Sequence, residues 1–352
     1  MGGVRDLSGR DGTSGTLPAP SGRDTDGGRG KAAVRRALPP EALGRAQGAM
    51  MGQLCGDALG SQVEFMRPHL IAKQWPGGVR QILPGGAWDT MAGQPTDDSE
   101  MALALARDIA ARGSYSPEGA MAAYSAWFGS KPFDCGGTIA AALSGTPKPE
   151  SQANGAMMRA SPLGIAGAGF PSGEVAFDAA SDAQLTHPNP VPIAASSLYA
   201  MAIAHAVEYG PEPAELYGLV LGWAREMGIR GPLMDAVVAA GTAKPSTFVK
   251  KAGWVLIAFQ NALYRLASSA SFEEGVAGTA GEGGDADTNA AICGALLGAV
   301  HGLDAVPDQW VRAVLTCFPR EVPGVRRPRP AVYFPGDALY LAGRLIGVEL
   351  GA

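Results

Sequence analysis

The chain has 352 residues, 46% of them hydrophobic, enough to bury one large core or two smaller ones; length alone does not choose. Its formal net charge of −5, from 28 Lys and Arg against 33 Asp and Glu, argues against non-specific nucleic-acid binding. Its four cysteines (Cys55, Cys135, Cys293, Cys317) show no CxxC spacing, so neither a zinc site nor a disulfide framework is expected.

Residues 1–40 are rich in Gly, Ser, Arg, Asp and Pro without apolar periodicity, and read as a disordered leader. It is mildly basic through Arg5, Arg10, Arg23, Arg29, Lys31, Arg35 and Arg36. No apolar signal-peptide core opens the chain and no uncharged run reads as a membrane span, so a cytoplasmic protein is expected. From Glu41 the composition shifts to Ala, Leu, Gly and Met, and residues 41–352 read as a single all-α domain.

The first expected helix runs from Glu41 to about Phe65, with Gly48, Gly52, Gly56 and Gly60 on one face to allow close packing. Helices follow over Asp98–Arg112, Pro117–Phe128, Gly136–Leu143, Ala156–Ala168, Ser172–Leu185, Pro190–Tyr209 and Pro213–Met227. Lys250–Ala267, Asp287–Gly302, Pro307–Leu315 and Gly336–Ile346 complete the set. Pro, Ser or Asp near many of their starts and Gly near many ends agree with helix punctuation. The alternating stretches Val79–Ile82 and Val332–Phe334 are too short to build a sheet.

Two acidic clusters stand out, Thr96-Asp97-Asp98-Ser99 and Gly283-Gly284-Asp285-Ala286-Asp287-Thr288, each just before a helical stretch. One aspartate at a helix start is explained by capping and by the helix dipole. Capping does not need two aspartates and a threonine, twice over. Clustered carboxylates are costly without a counter-ion, and hard divalent cations take oxygen ligands.

These two clusters resemble the metal-binding motifs of the ADP-ribosylglycohydrolase family. So does the opening helix, Gly52-Gln53-Leu54-Cys55-Gly56-Asp57-Ala58-Leu59-Gly60, running into Glu64. Asn154-Gly155-Ala156-Met157-Met158-Arg159 and Thr186-His187 are similar to two further family signatures, in the expected order. The resemblance spans about Glu41 to Gly302. It implies a compact orthogonal multi-helix bundle with two Mg²⁺ or Mn²⁺ ions in a cleft. Thr96, Asp97, Asp98, Asp285, Asp287 and Thr288 match the family's metal ligands, and Glu64, Asp97 and Asp287 its catalytic positions.

For the nucleotide, Ser151, Asn154, Gly155, Ala156 and Met157 match the pyrophosphate loop, with Ala153 where many members have Gly or Ser. His187 matches a phosphate or ribose contact. Asp134 and Thr138, in Phe133-Asp134-Cys135-Gly136-Gly137-Thr138, match a segment near the nucleotide. Trp88, Tyr124 and Phe133 are the candidates for stacking on adenine, while Trp127 and Trp254 are expected in the core. The activity implied is removal of ADP-ribose from a protein side chain, arginine being favoured and an O-linked serine or metabolite conjugate the alternative. A cognate ADP-ribosyltransferase, bound through the leader, is a further expected partner; nucleic acid and membrane are not.

Overall fold

The computed structural model describes residues 34–348, whose regular elements are all helices joined by loops, with no strand among them. The helices are α1 (Ala42–Gly60), α2 (Pro68–Gln74), α3 (Asp97–Arg112), α4 (Pro117–Gly129), α5 (Gly137–Leu143), α6 (Ser161–Gly167), α7 (Ser172–Gln184) and α8 (Pro190–Tyr209). They continue as α9 (Pro213–Glu226), α10 (Pro232–Ala239), α11 (Val255–Ser268), α12 (Phe272–Ala280), α13 (Ala286–His301), α14 (Asp308–Leu315) and α15 (Ala338–Leu345). Proline in the first turn starts α2, α4, α8, α9 and α10, where its missing N–H costs nothing. Side chains of Ser116, Asn189 and Ser271 cap α4, α8 and α12.

The contact that organises the fold is between α1 and α13. Gly48, Gly52, Gly56 and Gly60 face the carbonyls of Gly298, Gly294, Ala290 and Ala286, so the two helices run antiparallel. A Cβ on Gly52 or Gly56 would lie 2.1 Å from the opposing carbonyl oxygen, so only glycine lets the backbones touch. This packing sets the end of α1 beside the start of α13. Around the pair lies one continuous apolar core drawn from nearly every helix. Among the described residues α8 alone is long and apolar enough to cross a membrane, and 78% of that apolar window is buried in the fold.

Several boundaries depart from expectation. The first helix stops at Gly60, and Ser61–Phe65 form a turn in which Phe65 takes a φ of +62°. The chain leaves the helix there because Phe65 N–H donates to the Gly284 carbonyl (2.7 Å) and Gly284 N–H to that of Met66 (3.1 Å). The helix expected over Ala156–Ala168 splits into a 3₁₀ turn, Asn154–Ala156, and α6, because Pro162 has no N–H to continue it. The helix expected from Lys250 begins only at Val255, whose N–H is spent on Gln152 O at 3.0 Å. The short helices α2, α10 and α12 go beyond the expected set, although Ser271-x-x-Glu274 was a readable start signal for α12.

At the amino end, the segment read as leader reaches the domain earlier than Pro40. Arg36 N–H donates to Gly169 O (2.9 Å), and its guanidinium grips both Glu208 oxygens at 2.8 and 2.9 Å. Arg35 donates to the carbonyls of Ala166 and Leu345. Residues 1–33 of the leader, and with them the expectation of a bound transferase, lie outside the described residues.

Candidate metal centre

Three chain ends converge on the site: the turn after α1, the first turn of α3 and the first turn of α13. The carboxylates of Glu64, Asp285 and Asp287 bring oxygens within 4.8 Å of one another. Across from them, Asp98 Oδ2 lies 3.1 Å from Thr96 Oγ1 and 3.3 Å from Thr288 Oγ1, joining the two acidic clusters. Asp98 Oδ1 is buried and has no partner among the described residues. Asp97 Oδ2 accepts from Gly136 N–H at 3.0 Å, which ties α3 to the Asp134 segment.

One residue of the centre was not singled out from sequence. Asp57, fully buried on α1, accepts from Thr96 N–H (3.1 Å) and Ser99 N–H (3.2 Å), and its Oδ1 lies 2.9 Å from Thr96 Oγ1. It caps α3 from a different helix and orients the Thr96 hydroxyl. The available signal was a carboxylate in the midst of the glycine-lined helix, where charge has no solvent to face.

Burial raises every one of these carboxylates, and repulsion by neighbouring acids adds to it for Glu64, Asp97, Asp98, Asp134 and Asp287. Burial, then Asp134 and Asp285, pushes Glu64 up to about 8. Burial, then Asp97 and Asp57, pushes Asp134 to about 8. Asp97 rises to about 7, chiefly by burial, with Gly136 N–H holding it back. Asp57 rises to about 6, burial outweighing its hydrogen bonds from Ser99 and Thr96. Burial and neighbouring acids carry Asp98 and Asp287 well above the usual range, and burial raises Asp285. A donor set of carboxylate and hydroxyl oxygens, with one aspartate oxygen orphaned, fits a hard divalent cation.

The loop read as a phosphate cradle is tied to this centre. Asn154 Nδ2 donates to Asp285 Oδ2 at 2.6 Å, and Asn154 N–H to Gly253 O at 3.0 Å. Ser151 and Thr138 share a hydrogen bond of 2.7 Å between their hydroxyls. Gly155 faces the His187 ring, and a Cβ there would meet it at 3.2 Å and Ile139 at 2.9 Å. Ala156 and Met157 are fully buried, and Met157 N–H turns back to Asn154 O (2.8 Å). Met157 therefore supports the loop from the core and has no N–H left for a phosphate.

His187 is buried, and its protonation is set from behind. Arg159 Nη1 donates to Thr186 Oγ1 at 2.9 Å, which leaves the threonine proton for His187 Nδ1 at 2.8 Å. The ring proton then sits on Nε2, which is buried without a partner among the described residues. Burial and Arg159 push the imidazole down to about 3, so it is a neutral donor.

The aromatic candidates separate. Tyr124 is fully buried, donates to Asp182 at 2.7 Å and lies under the Arg159 guanidinium, so it is not available to adenine. Trp88 and Phe133 are part-exposed, with ring centroids 6.0 Å apart. Trp127 is in the core, as expected. Trp254 is not: it is half-buried and donates to Gln152 Oε1 at 2.9 Å, holding the loop before Asn154.

An all-helical fold with an acidic, oxygen-donor centre between helix starts defines the class. Residues 38–329 match the ADP-ribosylglycohydrolase family, and the chain belongs to it. The family is one of metal-dependent hydrolases that remove ADP-ribose. The chain is 31% identical over 297 residues to the ADP-ribosyl-[dinitrogen reductase] glycohydrolase of Rhodospirillum rubrum, covering 80% of this chain and 94% of that one. It is 26% identical over 296 residues to the ADP-ribosylarginine hydrolase Tri1 of Pseudomonas putida (strain GB-1), covering 78% and 76%. A solved structure described as an ADP-ribosylglycohydrolase-related protein complex superposes with a TM-score of 0.72 at 28% identity, over 89% of this chain and all of that one.

Proposed function

We propose that this protein hydrolyses the N-glycosidic bond between ADP-ribose and an arginine side chain of a modified protein. Two divalent cations, Mg²⁺ or Mn²⁺, would be held by Thr96, Asp97, Asp98, Asp285, Asp287 and Thr288. The observation that carries the reading is the meeting of Glu64, Asp285 and Asp287 within 4.8 Å, beside the Thr288–Asp98 link. Arginine is supported by the name of one relative, an ADP-ribosylarginine hydrolase.

Bound cations would supply positive charge at the ribose hydroxyls and the anomeric centre. The protein's own groups do the rest. Asn154 holds Asp285 against the phosphate loop, and the His187 Nε2–H donates to a phosphate or ribose oxygen. The Glu64 carboxylate orients the attacking water and accepts its proton. The water oxygen bonds to the anomeric carbon, the carbon–nitrogen bond breaks with its electron pair going to the guanidine nitrogen, and the proton taken up by Glu64 passes to that nitrogen. Asp134 and Thr138 line the approach from the Phe133 side.

The test is release of free ADP-ribose from an arginine-ADP-ribosylated protein, with Mg²⁺ and with EDTA, for wild type and Asp97→Asn. Metal-dependent release that vanishes in the variant is expected. A parallel assay on serine-ADP-ribosylated peptides decides the linkage: equal or faster release there would defeat the arginine preference.

A further inference from the structure

We propose that Trp88 is a positioning residue that aims the Glu64 carboxylate into the site through its indole N–H. The inference rests on the role given to Glu64 above and adds what holds that side chain in place.

Trp88 Nε1 donates to Glu64 Oε2 at 2.8 Å. The backbone of Glu64 is fixed by the turn after α1 and by the Phe65–Gly284 hydrogen bond, but its side chain has three rotatable bonds. The charges that press on its carboxyl are acids, Asp134 and Asp285, and Asp287 lies alongside. An indole suits this place chemically. It can only donate, it stays neutral at any working pH, and it brings no charge to compete with a cation. Its ring is rigid and turns about only two bonds, so holding the N–H in one direction orders fewer rotors than Glu64 itself has.

The Trp88 backbone is held from two sides. Gly86 packs onto the turn itself, where a Cβ would come within 2.3 Å of Ser61 O. Leu83 N–H donates to Gln62 Oε1 at 3.1 Å, and Gly85 and Thr90 exchange hydrogen bonds of 2.9 and 3.0 Å that close the loop around Trp88. From the carboxyl-terminal part of the chain, Arg327 Nε donates to Trp88 O at 2.8 Å, and Gln94 Nε2 donates to Arg327 O at 2.6 Å. Arg329, two residues on, is buried against Glu100 of α3 at 2.7 Å. The segment beyond α14 thus straps the Trp88 loop to the helix that carries Asp97 and Asp98. A ring meant only as an apolar wall would not need its N–H aimed at a carboxylate.

The experiment compares wild type, Trp88→Phe, Glu64→Gln and the double variant. Release of ADP-ribose from ADP-ribosyl-arginine gives kcat and KM, and ¹H–¹⁵N spectra follow the indole N–H groups. Trp88→Phe keeps the ring and removes the donor. It is expected to lower kcat about tenfold with KM within about twofold. The double variant is expected to be no slower than Glu64→Gln, since both remove one coupled unit. The indole resonance missing from Trp88→Phe is expected to be the one that moves in Glu64→Gln. Wild-type kcat in Trp88→Phe, a rise confined to KM, or multiplicative losses in the double variant would overturn the proposal. A normal rate in Glu64→Gln would instead sink the role of Glu64, and the proposal with it. The spectrum requires no turnover, so an unmoved resonance overturns the contact whichever linkage the enzyme cleaves.

Discussion

Thr288, in the first turn of α13, donates to Asp98, in the first turn of α3, through a 3.3 Å hydrogen bond that spans 190 positions of sequence. This bond joins the two acidic clusters and consumes one Asp98 oxygen while the other is buried with no partner among the described residues. Buried polar atoms are normally satisfied, so the orphan oxygen is what makes Asp98 a candidate metal ligand. The whole centre depends on helix starts being brought to one point.

Asp57 holds one of those starts. Asp57→Asn can keep one oxygen facing the N–H groups of Thr96 and Ser99 but turns an amide N–H₂ onto the Thr96 hydroxyl and removes the charge, so Mg²⁺ affinity is expected to fall by about 10- to 100-fold, as for other residues that orient metal ligands. Calorimetric titration of the purified variant checks this. Wild-type affinity would show that Thr96 is oriented without Asp57.

Gly56→Ala tests the α1–α13 contact. The new Cβ would meet the Ala290 carbonyl oxygen at 2.1 Å, backbone against backbone, so an expected loss of about 3 kcal/mol or more follows from overpacking a rigid site. Gly44→Ala, on the same helix with nothing among the described residues within 4 Å, is the control and should gain up to about 1 kcal/mol of helix propensity. Urea unfolding curves measure both. Similar midpoints for the two variants would refute the close-packed interface.

The raised carboxylates give metal-free protein a pH signature. In the fold, Asp57 titrates at about 6, Asp97 at about 7 and Glu64 and Asp134 at about 8. Unfolded, they return to about 4, so between those values the folded state holds protons that the unfolded state has released. Their contribution to stability is full below the unfolded value and is lost as pH rises through 6 to 8. EDTA-treated protein should therefore melt higher at about pH 5.5 than at about pH 8, and Mg²⁺ should raise the midpoint more at the higher pH. A gain from Mg²⁺ that is equal at both values would contradict the shifts.

Thr186→Val removes the donor to His187 Nδ1 and frees the ring to carry its proton on either nitrogen. Affinity for free ADP-ribose is expected to fall about tenfold, the worth of one directed hydrogen bond, and the melting temperature to fall as well, because the buried Arg159 Nη1 loses its acceptor. The ¹⁵N shifts of the imidazole report the tautomer directly. An unchanged tautomer in the variant would mean that Arg159 and Thr186 do not set it.

Much of this protein is local and could be read from the chain. Proline at helix starts, glycine stripes and 3.6-residue periodicity act within one or two turns, so the all-α fold and most helices were legible. So were the acidic clusters, because carboxylates crowded over a few residues are unusual whatever surrounds them. Asp57, Trp88 and Tyr124 were different. Asp57 acts on α3 from α1, Trp88 reaches Glu64 from a loop held by Arg327, and Tyr124 is sealed under Arg159. Which side chain meets which across a bundle depends on how closely helices approach and where each stops. Those distances are decided by glycines on α1 meeting carbonyls on α13, and by the turn at Ser61–Phe65 that pairs with Gly284. The sequence alone supplied the candidate ligands and their chemistry; only the tertiary structure decided that they meet, because the contacts that bring them together lie between helices far apart in the chain.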